Sequence, residues 1–151
     1  ERKMREEMAK RPDAVQSLVL VYLNGIEEYY DSLPQAYINR VMQRAHDILK
    51  DELRGNDIVG RWSKMQFAIL LPSTDGSGAI RRMASIQESL NEPILLEPDG
   101  DHYISLDPRI GLADRQGGEP FNVIVNQAEQ ALEISMQSDL KINQYKVRPF
   151  G

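Results

Sequence analysis

The segment LRGNDIVGRWSKMQFAILLP occupies residues 53–72 and reads as a turn followed by two strands. Gly55, Asn56 and Asp57 are turn-forming residue types at its start. The second predicted strand, residues 66–71, is almost wholly apolar, which is typical of a strand buried on both faces. The short link between the strands predicts a β-hairpin that starts at this turn and has its tip at residues 63–66.

Further helices and strands are predicted on either side of the hairpin. Residues 1–11 resemble the end of a helix stopped by Pro12, and the apolar run at 17–23 predicts a buried central strand. Apolar residues at helical spacing predict amphipathic helices over residues 34–53, 75–90 and from 121 onward. Shorter strands are predicted at 93–97 and 101–106, around a turn at 98–100, and at 109–113 and 143–147. Hairpins mixed with helices predict an α+β sandwich with a mostly antiparallel sheet.

The composition excludes several classes of site. The chain has 151 residues, about the size of one domain, and no cysteine, so it has no disulfides or thiolate metal sites. Its histidines, His46 and His102, are too few and too far apart to suggest a metal site. A net charge of −5 argues against general nucleic-acid binding but leaves room for one small anion held by a local arginine cluster.

The hairpin resembles the signature hairpin of the GGDEF family, diguanylate cyclase domains that make cyclic di-GMP from two GTP. The family tip reads Gly-Gly-Asp-Glu-Phe or Gly-Gly-Glu-Glu-Phe. The corresponding residues here are Ser63, Lys64, Met65, Gln66 and Phe67. The resemblance runs without a gap over residues 18–71 and continues more loosely to the C-terminus, where residues 106–113 (LDPRIGLA) are similar to the family's late strand. It implies the nucleotide-cyclase palm, a five-stranded mostly antiparallel sheet flanked by helices, with an accessory hairpin.

The resemblance also implies where a cyclase would hold its substrate. The metal-binding carboxylates fall at Tyr22 and at the tip positions Met65 and Gln66, none of which binds a hard cation well. The guanine-binding positions fall at Tyr30 and Asn39, and the phosphate-binding lysine falls at Met136. From these substitutions we expect a degenerate domain that is not an enzyme and has no Mg²⁺ cofactor.

One functional element of the family is matched. Arg54 and Asp57 stand at the positions of its Arg-x-x-Asp inhibitory site for cyclic di-GMP, five residues before the tip. An arginine grips guanine O6 and N7 or a phosphate as a fork, and an aspartate accepts from the guanine N–H edge. The family's additional arginine falls at Ser85, and we expect Arg81 and Arg82, one helical turn earlier, to supply its charge. The alternative is that both residues have only local structural roles, Arg54 as a cation at the C-terminal end of a helix and Asp57 as a turn-forming residue.

These observations lead to a functional expectation with an alternative. Residues 1–16 are expected to end a linker helix, 17–148 to form the domain, and 149–151 to lead to a further domain. We expect a cytoplasmic regulatory domain of a bacterial signalling protein that binds cyclic di-GMP and inserts into no membrane. The alternative is a ligand-free dimerisation or protein-interaction domain that controls an adjacent EAL phosphodiesterase or another output domain.

Overall fold

Helices and strands alternate along the part of the chain that the computed structural model describes, residues 1–96, 100 and 102–146. The α-helices are α1 (Arg2–Lys10), α2 (Gln35–Glu52), α3 (Gly76–Asn91) and α4 (Phe121–Met136). The β-strands are β1 (Gln16–Asn24), β2 (Ile58–Ser63), β3 (Gln66–Pro72), β4 (Ile94–Leu95), β5 (Tyr103–Ile104), β6 (Asp107–Arg115) and β7 (Ile142–Gln144). The predicted elements are present, with ends that differ from the prediction by a few residues.

The larger sheet has five strands in the order β2-β3-β1-β6-β7. Its neighbouring strands are antiparallel, except that β7 runs parallel to β6. β1 is central, and its Val19 lies between Ile69 of β3 and Leu112 of β6. β4 and β5 form a separate two-stranded hairpin. The predicted α+β architecture with an accessory hairpin is therefore confirmed.

Both faces of β1 are buried, which explains its uninterrupted apolar sequence. Val19 and Val21 belong to the core cluster that also contains residues of α2 and α3. Leu18 and Leu20 belong to a second cluster that contains residues of α1 and α4. Each of these four side chains is fully buried, and burial of one such side chain stabilises the fold by about 1.5–3 kcal/mol. The sheet is therefore covered by helices on both faces.

The helices begin and end where local chemistry favours it. Pro34, which we predicted to be the first residue of α2, is instead its N-cap with ψ 145°, and the helix begins one residue later at Gln35. Asp75 caps α3, since its side chain accepts a hydrogen bond from the N–H of Gly78 at 2.8 Å. In the described residues, no helix is both long enough and apolar enough to cross a bilayer.

A buried arginine holds α1 on the sheet. Arg115, at the end of β6, is 3% exposed. Its guanidinium donates to the carbonyl of Met8 at 2.9 Å, to Gln16 Oε1 at 2.8 Å and to the carbonyl of Arg11. The last carbonyls of a helix lack partners within the helix. Arg115 therefore caps α1 while Met4 and Met8 pack into the second cluster.

β6 differs in length from the predicted strand, and parts of two other predicted segments lie outside the described residues. β6 is longer than the predicted strand at 109–113, because its nine residues, Asp107–Arg115, all pair with β1. Part of the predicted turn, Pro98 and Asp99, lies outside the described residues. Residues 147–151, which include the end of the last predicted strand and the predicted tail, also lie outside them.

α4 crosses β6 at Gly111. A Cβ atom at this position would lie 2.1 Å from the backbone nitrogen of Leu132 and 2.7 Å from the carbonyl oxygen of Ala128. Both distances are far shorter than van der Waals contact, and backbone atoms cannot rotate away as a side chain does. A glycine is therefore required for the close approach of α4 to the sheet.

Gly111→Ala is expected to lower the free energy of unfolding by about 2–3 kcal/mol, because the backbone of α4 must move away from β6. Gly60→Ala in β2 is the matched control, since a Cβ there would approach nothing nearer than Met4 Cε at 4.0 Å. The control is expected to change stability by less than about 1 kcal/mol. Urea unfolding measures both values, and equal losses would contradict the role given to Gly111.

Candidate functional site

The hairpin of β2 and β3 contains two candidate regions. Arg61 pairs with Phe67 and Ser63 pairs with Gln66, with a register shift between the two pairs. We call residues 54–57, before β2, the root of the hairpin, and residues 63–66 its tip. The root lies after the C-terminal end of α2, and the tip lies near the end of β1, where Tyr22 pairs with Gln66.

The root is a turn closed by two hydrogen bonds. The N–H of Asp57 donates to the carbonyl of Arg54 at 3.0 Å, and the N–H of Arg54 donates to Asp57 Oδ2 at 2.7 Å. The Asp57 carboxylate also accepts from Arg82 of α3, with Nη1 at 3.4 Å from Oδ1 and Nη2 bonded to Oδ2. The side chain of Asp57 is 2% exposed and that of Arg82 is 17% exposed. A buried ion pair therefore fixes the root against α3.

This geometry changes the role expected for Asp57. Both of its oxygens already accept hydrogen bonds, and its side chain is buried. In this conformation Asp57 positions Arg82 and the turn, and its buried carboxylate is not exposed to the N–H edge of a ligand, which differs from the role that we expected. The Arg54 side chain has no hydrogen-bond or ion-pair partner among the described residues, and Arg54 is exposed. Arg54 is thus the free guanidinium of the root.

The expectation that both Arg81 and Arg82 supply positive charge at the root needs correction. Arg82 points to the root, whereas Arg81 lines a depression formed with Thr74, Gly78 and Gln116. Successive residues of an α-helix are separated by 100° around its axis. The structure therefore brings Arg82 to the root, where it binds Asp57, and places Arg81 elsewhere.

A carboxylate that the sequence reasoning missed also lies at this end of α2. Glu52 is the last residue of α2, two positions before Arg54, and its Oε1 accepts from the hydroxyl of Ser85 at 2.5 Å. Its Oε2 is buried and has no hydrogen-bond partner among the described residues. Ser85 therefore contacts a carboxylate at the position where the family has an additional arginine. The acidic residues just before Arg54 were the signal in the sequence from which a role for Glu52 could have been predicted.

The tip is held through its main chain. The hydroxyl of Tyr30 donates to the carbonyl of Lys64 at 2.9 Å. Arg61 donates to the carbonyls of Ser63 at 2.8 Å and Lys64 at 2.7 Å. The hydroxyl of Tyr22 lies 3.3 Å from the sulfur of Met65. Tyrosines therefore contact the tip from β1 and from the segment that follows it.

A cleft of about 430 Å³ separates the tip from α4. Its lining residues are Tyr22, Trp62, Ser63, Gln66, Glu129, Leu132, Glu133 and Met136. Burial raises the pKa of the Tyr22 hydroxyl, and the negative charge of Glu27 and its hydrogen bond with Tyr22 raise it further. Glu129 and Glu133 were missed by the sequence reasoning. Their i,i+4 spacing beside the core residue Leu132 was the available signal.

A second depression, of about 370 Å³, lies between α2 and the hairpin. It is lined by Asn39, Met42, Gln43, His46, Arg61 and Phe67. The ring of His46 lies 5.9 Å from that of Phe67, and the guanidinium of Arg61 lies 5.7 Å from the Phe67 centroid. Asn39 and Tyr30, the two positions where the family binds guanine, thus lie at this depression and at the tip respectively. No group of three or more potential metal ligands occurs in the part of the chain described.

An arginine on β6 holds the C-terminal end of α4. Arg109 donates to the carbonyls of Ser135 at 2.7 Å and Ser138 at 2.6 Å, and pairs with Asp107 at 3.0 Å. Burial raises the pKa of Asp107, but the hydrogen bonds and positive charges of Lys141 and Arg109 together outweigh it, so the pKa lies below its usual value. This cluster fixes the end of α4, the helix that lines the cleft.

Comparisons with known proteins match nearly the whole chain. Residues 1–140 match the family model described as the diguanylate cyclase GGDEF domain. The structure is similar to the GGDEF domain of DgcB from Caulobacter crescentus in complex with c-di-GMP, with a TM-score of 0.87 and 13% identity over 97% of this chain and 88% of that one. It is similar to the active GGEEF domain of a diguanylate cyclase from Vibrio cholerae, with a TM-score of 0.82 and 16% identity over 97% of each chain. An EAL/GGDEF domain protein from M. capsulatus gives a TM-score of 0.77 and 19% identity over 89% of this chain and 86% of that one.

The expectation that the chain is not an enzyme is contradicted by these matches. The matching family model is that of a diguanylate cyclase domain, and one similar structure is an active cyclase domain. The expectation rested on residue types at Tyr22 and the tip, where the family has metal-binding carboxylates, and on those at Tyr30, Asn39 and Met136. It considered carboxylates only at Tyr22 and the tip, whereas the fold brings Glu129 and Glu133 of α4 to the same cleft. Substitutions at the tip therefore give no sufficient ground for excluding activity.

The buried pair at the root is expected to be energetically coupled. Asp57→Ala and Arg82→Met should each lower the free energy of unfolding by about 3 kcal/mol, because each leaves a buried group without its partner. The double variant should cost less than the sum of the two by at least about 1 kcal/mol. Arg81→Met is the control and should change stability by less than about 0.5 kcal/mol. If urea unfolding gives the same loss for Arg82→Met as for Arg81→Met, the pairing is wrong.

Asp107 is expected to contribute stability that is lost in acid. Its pKa is lowered on folding, so the contribution is present above the pKa of an unfolded aspartate, about 4, and disappears as the pH falls through the lower folded value. The melting temperature of the wild type should exceed that of Asp107→Asn by a constant amount between about pH 5 and 7, and this excess should shrink below about pH 4. Since the Asp107 side chain is 35% exposed, high salt should also reduce the excess. A difference that persists unchanged to pH 2 would contradict the assignment.

Proposed function

The chain belongs to the GGDEF family, and from this membership we propose that it is a regulatory domain that binds cyclic di-GMP at the root of its hairpin, in a cytoplasmic signalling protein of a bacterium. The observation that carries the proposal is the exposed guanidinium of Arg54, without a partner among the described residues, on a turn that Asp57 and Arg82 hold rigid. The fork of an arginine matches guanine O6 and N7, or a phosphate. A turn fixed before binding loses little conformational entropy when the ligand arrives.

Each residue of the root has its own task in this proposal. Arg54 grips the ligand, and Asp57 holds the turn and Arg82 without touching the ligand. Arg82 holds the Asp57 carboxylate from α3, and its own side chain is 17% exposed. Arg54 recognises the ligand directly through its guanidinium, so the proposed binding needs no Mg²⁺. Relatives support the proposal: one similar structure is a complex with c-di-GMP, and another is that of an EAL/GGDEF domain protein.

Titration calorimetry of the chain with cyclic di-GMP tests the proposal. The wild type should release or absorb heat on binding, and Arg54→Ala should weaken the affinity by at least about tenfold, because it removes a charge-assisted fork. Arg81→Ala, which removes an arginine that lies away from the root, should bind as the wild type does. Chelation of divalent metals with EDTA should leave the affinity unchanged.

Two results would contradict the proposal: the absence of binding at high micromolar ligand, or unchanged binding by Arg54→Ala. Either would favour the alternative of a domain that binds a second copy or another protein. That alternative has its own structural support, since Ile134 and Leu140, at and beyond the end of α4, are 49% and 52% exposed. Sedimentation of the chain alone would then show whether it self-associates.

A further inference from the structure

A cavity of about 310 Å³ lies between α1 and the start of α4, away from the hairpin. Apolar side chains of both helices line it, among them Met8 and Phe121. Two arginines also line it, Arg5 from α1 and Arg115 from the end of β6. The cavity therefore combines apolar walls with positive charge, and it includes no residue of the root or of the cleft at the tip.

Arg115 carries a buried positive charge that no carboxylate balances in the part of the chain that the structure describes. Its hydrogen bonds go to the carbonyls of Met8 and Arg11 and to the amide oxygen of Gln16, all of which are neutral groups. Its Nε and the Nε2 of Gln16 are buried without partners among the same residues. Buried charges in proteins are normally paired with an opposite charge. A buried cation at a cavity wall thus points to an anion that these residues do not supply.

The first turn of α4 adds positive potential to the same cavity. Pro120 is the N-cap residue, and no described side chain caps the helix. The first N–H groups of a helix have no partners within it, and the helix N-terminus carries about half a positive charge. The guanidinium of Arg5 lies 4.8 Å from the centroid of the Phe121 ring. A second arginine therefore stands at this helix end, and its side chain is 53% exposed.

The two carboxylates that could oppose an anion here have other partners. Glu119 lines the cavity, but its oxygens accept from the N–H of Gly117 at 2.6 Å and from that of Gln116 at 3.4 Å. Glu1 pairs with Arg5 at 3.0 Å, and both side chains are more than half exposed. An ion pair exposed to this extent contributes little to stability. An incoming anion can therefore replace Glu1 at Arg5 at small cost.

We propose that this cavity binds a small organic carboxylate, an anion with an apolar body, and that the bound anion fastens α1 to the start of α4. The carboxylate binds Arg5 and the free N–H groups of the first turn of α4, and its charge balances that of Arg115. The apolar body covers Met8 and Phe121, which an inorganic anion would leave in contact with water. The site is independent of the cyclic di-GMP site proposed at the root.

Calorimetric titrations of the chain with benzoate, benzamide and inorganic phosphate test the proposal. Benzoate has both the charge and the apolar body, benzamide lacks the charge, and phosphate lacks the body. We expect benzoate to bind with a Kd of about 1 mM or below, and the other two at least about tenfold more weakly.

Variants of the cavity locate the binding. Arg5→Met should weaken benzoate binding by at least about fivefold, because it removes a charge-assisted hydrogen bond. Asn122→Asp places a negative charge in the first turn of α4, at the cavity, and should weaken binding by at least about tenfold. Arg2→Met is the matched control, since Arg2 forms the same kind of exposed pair on α1, with Glu6, but does not line the cavity. It should bind benzoate as the wild type does.

Thermal unfolding and hydrogen exchange separate binding from structure. Benzoate should raise the melting temperature of the wild type and slow amide exchange in α1, and benzamide should do neither. Asn122→Asp should melt at the wild-type temperature or above it, because an acidic residue in the first turn favours a helix. Its loss of binding is then not a loss of folding.

Three results would overturn the proposal: no binding of benzoate at about 10 mM, equal binding of benzamide, or wild-type binding by both Arg5→Met and Asn122→Asp. Weaker benzoate binding by Arg54→Ala would place the anion at the root and would overturn it as well. None of these results decides whether the root binds cyclic di-GMP, so the proposed function stands or fails by its own titration.

Discussion

The burial of β1 on both faces is the constraint on which the other elements depend. A strand whose side chains alternate between two core clusters needs helices on both sides of its sheet. α2 and α3 cover one side and α1 and α4 the other. Because β3 and β6 occupy both edges of β1, the remaining strand of the hairpin, β2, becomes an edge strand. The two ends of the hairpin are thus left near helices that did not form it, the root beside α3 and the tip beside α4.

The contacts of the root define its shape more than they add to stability. A buried ion pair loses hydration on folding, and its attraction returns little more than that loss. The pair of Asp57 with Arg82 nevertheless fixes which side of α3 faces the turn, and so places Ser85 against Glu52. The charged groups at this site differ in how many hydrogen bonds they make. Both oxygens of Asp57 accept hydrogen bonds, whereas the Arg54 side chain and Glu52 Oε2 have no partner among the described residues.

The sequence allowed the helices and strands to be predicted, because each depends on periodicity and turn residues within a short stretch. The length of β6 was underestimated because Pro108 and Asp107 are poor strand formers, and only pairing with β1 places them in the sheet. The arginine that pairs with Asp57 could not be predicted from the sequence, for another reason. Arg81 and Arg82 are equivalent in composition, and only the rotation of α3 against the hairpin distinguishes them. The enzymatic conclusion failed similarly, since the carboxylates of α4 reach the cleft only through the fold.

The backbone conformation of the tip depends little on which side chains it carries. The hydrogen bonds that hold it, from Tyr30 and Arg61, are accepted by the carbonyls of Ser63 and Lys64. A carbonyl is available from every residue type, so these bonds tolerate any side chain at the two accepting positions. The root differs, because the Asp57 carboxylate bonds both the N–H of Arg54 and the guanidinium of Arg82, and neither bond forms without that side chain. Changes of residue type at the root therefore alter its geometry, whereas changes at the tip alter the chemistry presented by an unchanged backbone.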